Sequence, residues 1–419
     1  MIKQTISSSF RTAIKPFGGV EWKIVPAFIA LLYIFLYSSL NQNLLSHSPW
    51  DSYALQAQAW WHGQIELDKD YSYLELAHYK NHVYVSFPPT PTFPQFLLYP
   101  FFGVNTPNNL LNTLYAITGF YVAALLLEVK TEWKRISIPI TAVFGSSLLA
   151  LSVNGGVWFQ AQLLSFILST LAFFLVYTAK NSNIKIHLGF FCLALSVGCR
   201  PFQALYFPVL VWLVSQTPET QLNTHTKSSF YLKSKQLIIR NAQYFLLPYL
   251  IGSIFAWYNW IRFDNPLEFG HSNLVEIQNA TFGLFDFHYI PENFRNSLQL
   301  PHLTEEGRLS FPRFNGMLFF LANPIIMVYF LKLHQSKRQQ LGLNILIISL
   351  VIAHVLLILS HLTMGGWHFG NRYFADIIPV LLLYLRANDF RANFSDIALC
   401  VFGVILNTYG TLWLFLNWP

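Results

Sequence analysis

The feature that most constrains this chain is a series of long apolar runs that recurs from near residue 24 to near residue 416. The runs are about 17 to 25 residues long, the length that an α-helix needs to cross the hydrocarbon core of a bilayer. Only 11% of the 419 residues are charged, whereas a soluble domain carries about 25% charged residues. The chain lacks the polar surface to cover itself in water, and the sequence predicts an all-α polytopic membrane protein.

The apolar runs predict about eleven transmembrane helices, within a range of about ten to twelve. We place them near residues 24–40, 107–127, 136–153, 157–179, 186–198, 202–216, 241–260, 314–331, 341–362, 373–386 and 396–416. No repeat or low-complexity tract divides the chain, so we expect residues 1–419 to form a single integral membrane domain without a separate soluble domain.

Basic residues concentrate in the segments on one side of these helices, and the segments on the other side are richer in Asp and Glu. Because cytoplasmic loops are enriched in Lys and Arg, this asymmetry predicts a cytoplasmic N-terminus in a plasma (inner) membrane, a cytoplasmic loop at 217–240, and two large outer segments at about 41–105 and 262–313. The residues placed inside are Lys3, Arg11, Lys15, Lys23, Lys130, Lys134, Arg135, Lys180, Lys185, Lys227, Lys233, Lys235, Arg240, Lys332, Lys337, Arg338, Arg386 and Arg391.

The same topology accounts for the net charge of +7, so we expect no nucleic-acid partner. The three cysteines, Cys192, Cys199 and Cys400, lie in or beside apolar runs. They show no disulfide framework and no metal-ligand spacing.

The first outer segment contains more regular structure than an ordinary loop. The mixed aromatic and polar stretch Tyr53–Trp61 predicts a helix lying in the membrane interface, where Trp and Tyr are favoured. Residues Leu76–Tyr79 and His82–Val85 predict a small β-hairpin with its turn at Lys80–Asn81. A dense run of prolines follows, and Thr92–Phe102 predicts a second interfacial helix.

Asp51 is the most informative polar residue, because it lies about ten residues beyond the first apolar run, at an expected membrane surface. A carboxylate in that position suits a general base. The alternatives are a solvated loop acid or a helix N-cap, and we expect Asp51→Asn to leave folding intact because the residue lies in an outer segment. Two further clusters, Tyr258–Gly270 and Gly365–Tyr373, are expected on the same face.

These motifs resemble those of the GT-C superfamily of membrane glycosyltransferases, the group of protein O-mannosyltransferases and the aminoarabinose transferase of lipid A. The resemblance rests on Asp51–Gly63, an early Asp followed by an interfacial helix that ends near a Gly, and on Pro88–Pro89. It also rests on Arg262–Gly270 and on Arg372–Tyr373 before Pro379.

Two positions depart from the family pattern. Ser52 stands where the family Asp is often followed by Glu, and Phe87 stands where one branch of the family places a Lys before Pro-Pro.

The resemblance implies an inverting transfer of a sugar from a polyprenyl-phosphate donor to an extracytoplasmic glycan, lipid or protein acceptor. It implies that Asp51 is the general base and that arginines bind the donor phosphate. The candidates for phosphate are Arg372, Arg262 and Arg200, and those for the acceptor or sugar are Glu66, Tyr84, His368 and Trp367. The sequence identifies no metal ligands and leaves open whether a divalent metal assists.

Each of these arginines also has a structural interpretation. In the structural alternative, Arg372 either snorkels at the end of the tenth span or pairs with Asp376 at i,i+4. Arg262 pairs with Asp264 or Glu268. Arg200 anchors a short turn between two spans.

The acids of the first outer segment, Glu66, Asp68, Asp70 and Glu75, are either solvated loop residues or the source of a second carboxylate.

Two rival functions remain open at this stage. A multi-pass transporter or a flippase for lipids or oligosaccharides would place charges near mid-membrane and often shows repeated halves. A polysaccharide ligase or polymerase would use a polyprenyl diphosphate, and that class does not predict an acid so soon after the first span.

Overall fold

The computed structural model of the protein describes residues 20–129, 133–180, 182–216, 241–312 and 317–417. The predicted cytoplasmic loop 217–240 lies outside the described residues. So do the basic residues Lys3, Arg11, Lys15, Lys130, Lys227, Lys233, Lys235 and Arg240.

The described chain is mostly helical and carries two small β-hairpins. The α-helices are α1 (Val20–Ser39), α2 (Ser52–Trp61), α3 (Thr92–Phe102), α4 (Asn108–Leu126), α5 (Trp133–Val143), α6 (Leu148–Leu151), α7 (Val157–Tyr177), α8 (Asn183–Val197), α9 (Phe207–Ser215), α10 (Leu246–Phe263), α11 (Val275–Gln278), α12 (Tyr289–Ser297), α13 (Phe319–Ala322), α14 (Pro324–Lys332), α15 (Leu341–Leu359), α16 (Ile378–Ala387) and α17 (Phe394–Leu416). The 3₁₀ helices are Pro201–Tyr206, Gln243–Phe245, His271–Asn273, Leu333–Gln335, Arg338–Gln340 and Arg372–Ile377. The strands are β1 (Leu76–Tyr79), β2 (His82–Val85), β3 (His302–Leu303) and β4 (Leu309–Ser310).

Four helical stretches in the described residues are long and apolar enough to cross a membrane: Asn108–Leu126, Val157–Tyr177, Arg338–Leu359 and Phe394–Leu416. Shorter apolar helices cover Ile24–Ser39, Asn183–Val197 and Pro201–Ser215. The protein is therefore a mostly helical membrane protein, as the composition predicts, but these elements do not confirm the count of eleven spans.

Two of the expected spans are interrupted, and the interruptions meet. The third span divides into α5 and α6, and the eighth divides into α13 and α14 at Asn323–Pro324. The Asn323 Oδ1 accepts hydrogen bonds from the Ser147 backbone N–H at 3.1 Å and from the Ser147 hydroxyl at 2.9 Å. A broken helix inside a membrane protein needs such partners, because lipid cannot hydrogen-bond the freed backbone groups.

Helices α7 and α16 form the centre of the bundle. In α16 every residue except Arg386 is buried, and most side chains of α7 are covered by neighbouring helices. A helix that is buried on all sides is stable only where other elements surround it. The ends of α7 and α16 are consequently held in place, and both ends contribute to the site described below.

A ladder of buried polar side chains ties α7 to its neighbours. The Ser196 hydroxyl of α8 lies 2.9 Å from Ser165 and 2.7 Å from Ser169 of α7. Ser169 donates to Gln203 at 2.9 Å, and Gln203 donates to the Asp376 carbonyl at 3.0 Å. Small polar residues of this kind hold transmembrane helices close together, and this ladder fixes the turns that carry Arg200 and Arg372.

The elements predicted for the first outer segment are present. Helix α2 covers Ser52–Trp61 and helix α3 covers Thr92–Phe102. Strands β1 and β2 pair antiparallel, with Leu76 opposite Val85 and Tyr79 opposite His82. The turn residues Lys80 and Asn81 both have positive φ, as a two-residue hairpin turn requires.

Candidate active site

Asp51 is the N-cap of helix α2. Its Oδ1 accepts hydrogen bonds from the backbone N–H groups of Tyr53 at 3.1 Å and Ala54 at 3.3 Å. Its Oδ2 accepts from the side-chain amides of Gln95 and Asn108, each at 2.8 Å. A carboxylate has about four lone-pair sites, and these four donors use all of them.

Asp51 is also buried, with only 1% of its surface exposed. Burial raises the pKa of Asp51 above its ordinary value, while the hydrogen bond from Asn108 and the charge of His47 oppose that rise. The helix cap foreseen from the sequence is therefore observed, and the solvated loop acid is wrong. The role of Asp51 as a base stays a prediction.

The amides around Asp51 are themselves held in place. Asn108 accepts a hydrogen bond from the Ser48 backbone N–H at 2.8 Å through its Oδ1. Gln95 donates to Gln160 at 2.8 Å, and Gln160 donates to the Gly155 carbonyl at 2.7 Å. Elements α2, α3, α4 and α7 thus converge on one carboxylate.

Arg200 and Asp376 form a buried ion pair in a neighbouring part of the site. The Arg200 Nε and NH2 lie 2.9 and 2.8 Å from Asp376 Oδ2. Burial alone would lower the pKa of Arg200, but the charge of Asp376 more than offsets this and the pKa is raised. The guanidinium carbon also lies 4.1 Å from the centre of the Tyr373 ring. Asp376 therefore pairs with Arg200, and the i,i+4 pair with Arg372 considered from the sequence is not formed.

Arg372 lies beside the same Tyr373 ring, with its guanidinium carbon 4.9 Å from the ring centre. Its NH1 donates to Gln162 Oε1 at 3.3 Å, and its NH2 donates to the Gly365 carbonyl at 3.0 Å. Gly365 has a φ of +100°, and a Cβ at this position would come within 2.8 Å of the Tyr373 ring. Only glycine lets this carbonyl approach the guanidinium in that way.

The Arg372 guanidinium has only neutral hydrogen-bond partners. Among the described residues it forms no ion pair within 4.0 Å, although only 3% of its surface is exposed and its Nε is buried without a partner. Burial lowers the pKa of Arg372, and the negative charges of Asp376 and Glu75 act on it from farther away. A buried cation without an adjacent counter-charge is costly, so this position favours the binding of an anion.

The N-terminal turns of α7 join the two parts of the site. Gln160 reaches toward Asp51 through Gln95. Gln162 donates to the Arg372 carbonyl at 2.5 Å and to Asp376 Oδ1 at 2.9 Å. Because these side chains come from one rigid helix, the base candidate and the arginine candidates are held in a fixed relation.

Three histidines surround the arginines, and burial keeps all three largely neutral. Burial and nearby positive charges lower the pKa of His361 to about 3 and that of His368 well below its ordinary value. Burial also lowers the pKa of His271. His368 accepts a hydrogen bond from the Arg372 backbone N–H at 3.1 Å through Nδ1, so it orients the Arg372 turn.

Arg262 contacts the first outer segment and lies in different surroundings. Its NH1 donates to the Val85 carbonyl at 2.9 Å, which ties α10 to strand β2, and its NH2 donates to Asn259 of the same helix at 2.9 Å. Asp264 pairs with Lys80 in the hairpin turn, so the expected pair with Arg262 is not formed.

Gly270 closes the same motif against the hairpin. Its φ is +109°, and a Cβ there would meet the Ser86 Cα at 2.9 Å. The Arg262–Gly270 motif therefore clamps the β1–β2 hairpin, and its contacts favour a structural role for Arg262.

The remaining sequence candidates are Glu66, Tyr84 and Trp367. Tyr84 packs against Phe263, with ring centres 5.4 Å apart, and the charge of Glu66 acts on it. Trp367 is exposed beside the buried His368. The structure thus groups Glu66 and Tyr84 with the hairpin and Arg262, and it groups His368 with Arg372.

Sequence reasoning missed the amides Gln95, Asn108, Gln160 and Gln162. The available signal was weak: each is a polar side chain at the edge of an apolar stretch, and nothing in their spacing identifies a shared partner. No group of three or more His, Cys, Asp or Glu side chains that could hold a metal ion occurs in the part of the chain that the structure describes.

The fold and the site together define a helical membrane protein with buried, oppositely charged groups at the ends of its helices. No family model and no curated protein matches the chain. Among solved structures it is similar to ArnT, an aminoarabinose transferase, from Cupriavidus metallidurans in the apo state, with 12% identity and a TM-score of 0.47. It is also similar to ArnT bound to undecaprenyl phosphate, with 12% identity and a TM-score of 0.45.

Each comparison covers 92% of this chain and 63% of the ArnT chain, so the protein spans less than two thirds of the length of those structures. ArnT belongs to the group that the sequence motifs resemble. The likeness is too distant to assign a reaction, and the function has to be inferred from the residues of the site.

Proposed function

We propose that the protein is a hexosyl- or pentosyltransferase that moves a sugar, with inversion, from a polyprenyl-phosphate donor to an extracytoplasmic acceptor. The observation that carries the proposal is the buried Arg372 guanidinium, which has neutral partners and no carboxylate within ion-pair distance. A phosphate monoanion or diester there supplies the missing charge, and a guanidinium binds phosphate oxygens through two parallel hydrogen bonds.

Arg200 has a different part in this proposal. Its charge is already balanced by Asp376, so it adds little net attraction for a phosphate. Its guanidinium packs against the Tyr373 ring, and the Arg372 guanidinium contacts the same ring. Arg200 therefore positions Arg372 through Tyr373. Arg262 is left out of the phosphate site because its NH1 donates to the Val85 carbonyl of strand β2, whereas Arg372 donates to Gln162 on α7, the helix that also reaches toward Asp51.

Asp51 supplies the base. The acceptor O–H attacks the anomeric carbon, Asp51 takes the proton, and the bond from that carbon to the phosphate oxygen breaks. The polyprenyl phosphate leaves with the electron pair, and Arg372 stabilises the charge that develops on it. Because Asp51 already accepts four hydrogen bonds, one donor must move before the acceptor hydroxyl can bind. Gln95 is the donor best able to release Asp51, because its Nε2 can keep the hydrogen bond to Gln160 when the one to Asp51 is broken.

A lipid-linked substrate is supported by an apolar groove of about 820 Å³ between α1 and α4. Residues such as Ile29 and Ile117 line it, and its polar end reaches the segment Asn41–Leu44, which leads toward Asp51. A groove with a hydrocarbon lining and a polar end suits the chain of a lipid-linked substrate.

The transporter and flippase alternatives are less well supported. Those classes place charged side chains near the middle of spans. Here Asp51 caps a helix, Arg200 precedes a 3₁₀ helix and Arg372 begins one, so the charged groups of the site lie at helix ends.

A lipid analysis of a strain that lacks the protein tests the proposal. We expect a polyprenyl-phosphate sugar to accumulate, because its consumption stops while its synthesis continues. The wild-type protein should remove the accumulated lipid, and Arg372→Ala at equal membrane level should not. An unchanged pool of polyprenyl-phosphate sugars in the deletion strain would contradict the proposed donor.

The placement of the site on the outer face has its own test. Single cysteines in 41–105 and in 262–313 should react with a membrane-impermeant maleimide in intact cells, and cysteines in 227–235 should not. Labelling of 227–235 and 286–306 from the same side would overturn the proposed topology, and with it the site.

A further inference from the structure

A wall of aromatic side chains stands next to the arginine cluster. The ring centres of Trp50 and Trp158 are 6.3 Å apart, and those of Trp50 and Tyr73 are 5.9 Å apart. Trp50 and Trp158 are half-buried and Tyr73 is exposed, so the wall keeps an open face. Half-covered indole rings are suited to stacking against the C–H faces of a sugar.

Glu75 lies at the edge of this wall. Its Oε2 accepts a hydrogen bond from the Trp158 indole N–H at 2.9 Å. In the described part of the chain no lysine or arginine nitrogen lies within 4.0 Å of it, although the positive charge of Arg372 acts on it from farther away. Glu75 is therefore an oriented carboxylate with unused acceptor sites, and it is not the solvated loop acid expected from the sequence.

The wall extends from the phosphate candidate to the base candidate. At one end, Trp158 contacts Phe159 with ring centres 6.0 Å apart, and the Arg372 guanidinium lies 5.9 Å from the Phe159 ring. At the other end, Trp50 directly precedes Asp51, and its carbonyl accepts a hydrogen bond from the Val157 N–H at 3.0 Å. A group lying along the wall therefore lies between Arg372 and Asp51.

We propose that Trp50, Trp158 and Glu75 form the subsite for the sugar ring of the donor. The indole rings stack on the sugar, and the Glu75 carboxylate accepts hydrogen bonds from its hydroxyl groups. The inference rests on the proposed function, because the phosphate at Arg372 is what brings the sugar to this wall.

The sugar of the donor fits this position better than a sugar of the acceptor. In an inverting transfer the attacking hydroxyl and the leaving phosphate lie on opposite sides of the anomeric carbon. The donor sugar must therefore lie between the phosphate and the base, which is the stretch that the wall covers. An acceptor sugar would lie beyond Asp51.

A comparison of two ligands tests the subsite. The protein in nanodiscs is titrated with a short-chain polyprenyl phosphate, and then with the same lipid phosphate carrying mannose, glucose or arabinose. The ratio of the two dissociation constants is the increment due to the sugar. We expect wild-type protein to bind one sugar-bearing lipid more tightly than the bare lipid. We expect Glu75→Gln to reduce that increment by about tenfold, the usual effect of losing hydrogen bonds to a charged group.

The variants are chosen to preserve the fold. Glu75→Gln keeps an oxygen that can accept the Trp158 N–H, and Trp158→Phe keeps a ring but removes that donor. Trp158→Phe should reduce the increment less than Glu75→Gln does. Trp158→Phe should bind the bare lipid phosphate as the wild type does. Glu75→Gln removes a negative charge that acts on Arg372 and should bind it at least as tightly. Glu305→Gln, which changes an exposed acid of the β3–β4 hairpin, should alter neither constant.

The possible outcomes separate the two proposals. Failure of the wild-type protein to bind bare polyprenyl phosphate would contradict the proposed function. Normal binding of the bare lipid, with no increment for any sugar or with a full increment in Glu75→Gln, would overturn the subsite alone. A further titration uses soluble methyl glycosides with bare lipid phosphate already bound. If Glu75→Gln weakens that binding and leaves the increment intact, the wall binds the acceptor sugar and the assignment to the donor is wrong.

Discussion

Replacing Asp51 by Asn should separate the stability of the site from its catalysis. The Asn Oδ1 can still accept from the backbone N–H groups of Tyr53 and Ala54, so the helix cap survives. The new Nδ2, however, would face the amide donors of Gln95 and Asn108, where the carboxylate oxygen now accepts from both at 2.8 Å.

Only one of these conflicts can be relieved by rotating an amide. Gln95 has a buried Oε1 without a partner, and its rotation would present that oxygen to the new Nδ2 at the expense of the hydrogen bond that its Nε2 donates to Gln160. Asn108 cannot rotate as easily, because its Oδ1 already accepts from the Ser48 N–H at 2.8 Å. One buried donor therefore stays unpaired, and we expect a loss of about 1 to 3 kcal/mol in the free energy of unfolding. The sequence-based expectation that Asp51→Asn leaves folding intact is thus revised to a moderate destabilisation.

The effect on turnover should be much larger than this loss of stability. An amide cannot accept the proton of the attacking hydroxyl, and losing a positioned general base lowers rates by about 10² to 10⁴-fold. Most molecules should still be folded, because about 1 to 3 kcal/mol is a fraction of the stability of an ordinary domain.

The assay measures release of polyprenyl phosphate from a synthetic short-chain sugar donor, with a cell-envelope extract as the source of acceptor. Rates are divided by the amount of folded protein, taken from fluorescence-detected size exclusion. Asn109→Ala is the matched control: this amide, next to Asn108 on α4, bonds Ser46 and the Gly155 N–H and does not contact Asp51. It should lower the thermal transition to a similar extent while turnover per folded molecule stays near that of the wild type.

Near-normal turnover in Asp51→Asn, with the thermal transition lowered as expected, would refute the catalytic role. Asp51 would then be a helix cap and a junction for two side-chain amides. Equal losses of turnover in Asp51→Asn and Asn109→Ala would also refute it, because they would trace the loss to the fold.

Three further predictions follow from the site. Arg372→Lys should recover only part of the donor affinity that Arg372→Ala loses, because an ammonium group cannot form a bidentate contact with phosphate. Titration of both variants with polyprenyl phosphate in nanodiscs measures the two affinities, and full recovery in Arg372→Lys would contradict bidentate binding. Arg262→Leu should lower the free energy of unfolding by about 1 to 3 kcal/mol, because the Val85 carbonyl of β2 loses its hydrogen bond and is left as an unpaired buried acceptor. The thermal transition measures this loss, and an undiminished affinity of the folded variant for polyprenyl phosphate would confirm the structural role of Arg262. For Asp51 only the ionised form is a base, so kcat/KM should fall as pH drops through a pKa that burial has raised; Asn108→Ala removes a hydrogen bond that lowers this pKa and should move the acid limb to higher pH, whereas an unmoved limb would mean that another group controls it.

Much of the fold could be predicted because bilayer length and strand pairing leave direct traces in the sequence. The hairpin at residues 76–85 and the helix Thr92–Phe102 lie at the predicted residues. The number of spans could not be predicted as well, because helices buried inside a bundle need not cross the membrane unbroken. The interruption at Asn323 is stabilised by Ser147, which is 176 positions away in sequence.

The site was only partly predictable for the same reason. Asp51 and Arg372 are conspicuous as charges at the ends of apolar runs. Asp376, in contrast, has Arg372 four positions before it, and local spacing favoured that pair. Its actual partner is Arg200, 176 positions away, and only the packing of α7, α8 and the 372–377 turn brings the two together. Pairings across such distances leave no periodic pattern in a single sequence.

The way the protein balances its buried charges supports the proposed chemistry. Two charges of the bundle have an oppositely charged neighbour: Lys332 lies 2.8 Å from Asp396, and Arg200 lies 2.8 Å from Asp376. Arg262 is buried without an ion pair among the described residues, and its NH1 binds the Val85 carbonyl of strand β2. Asp51 and Arg372 are buried to the same degree, yet every hydrogen-bond partner that the structure gives them is neutral.

If Asp51 and Arg372 served only the fold, the protein would be more stable with the two charges paired or replaced by apolar residues. Keeping them unpaired, on either side of the N-terminal turns of α7, costs stability and leaves room for charge supplied by a substrate. In the proposed reaction, a donor phosphate would compensate the charge of Arg372, and the proton of an attacking hydroxyl would neutralise Asp51. One sugar transfer therefore accounts for both unpaired charges, whereas a structural role for either residue explains only its own hydrogen bonds.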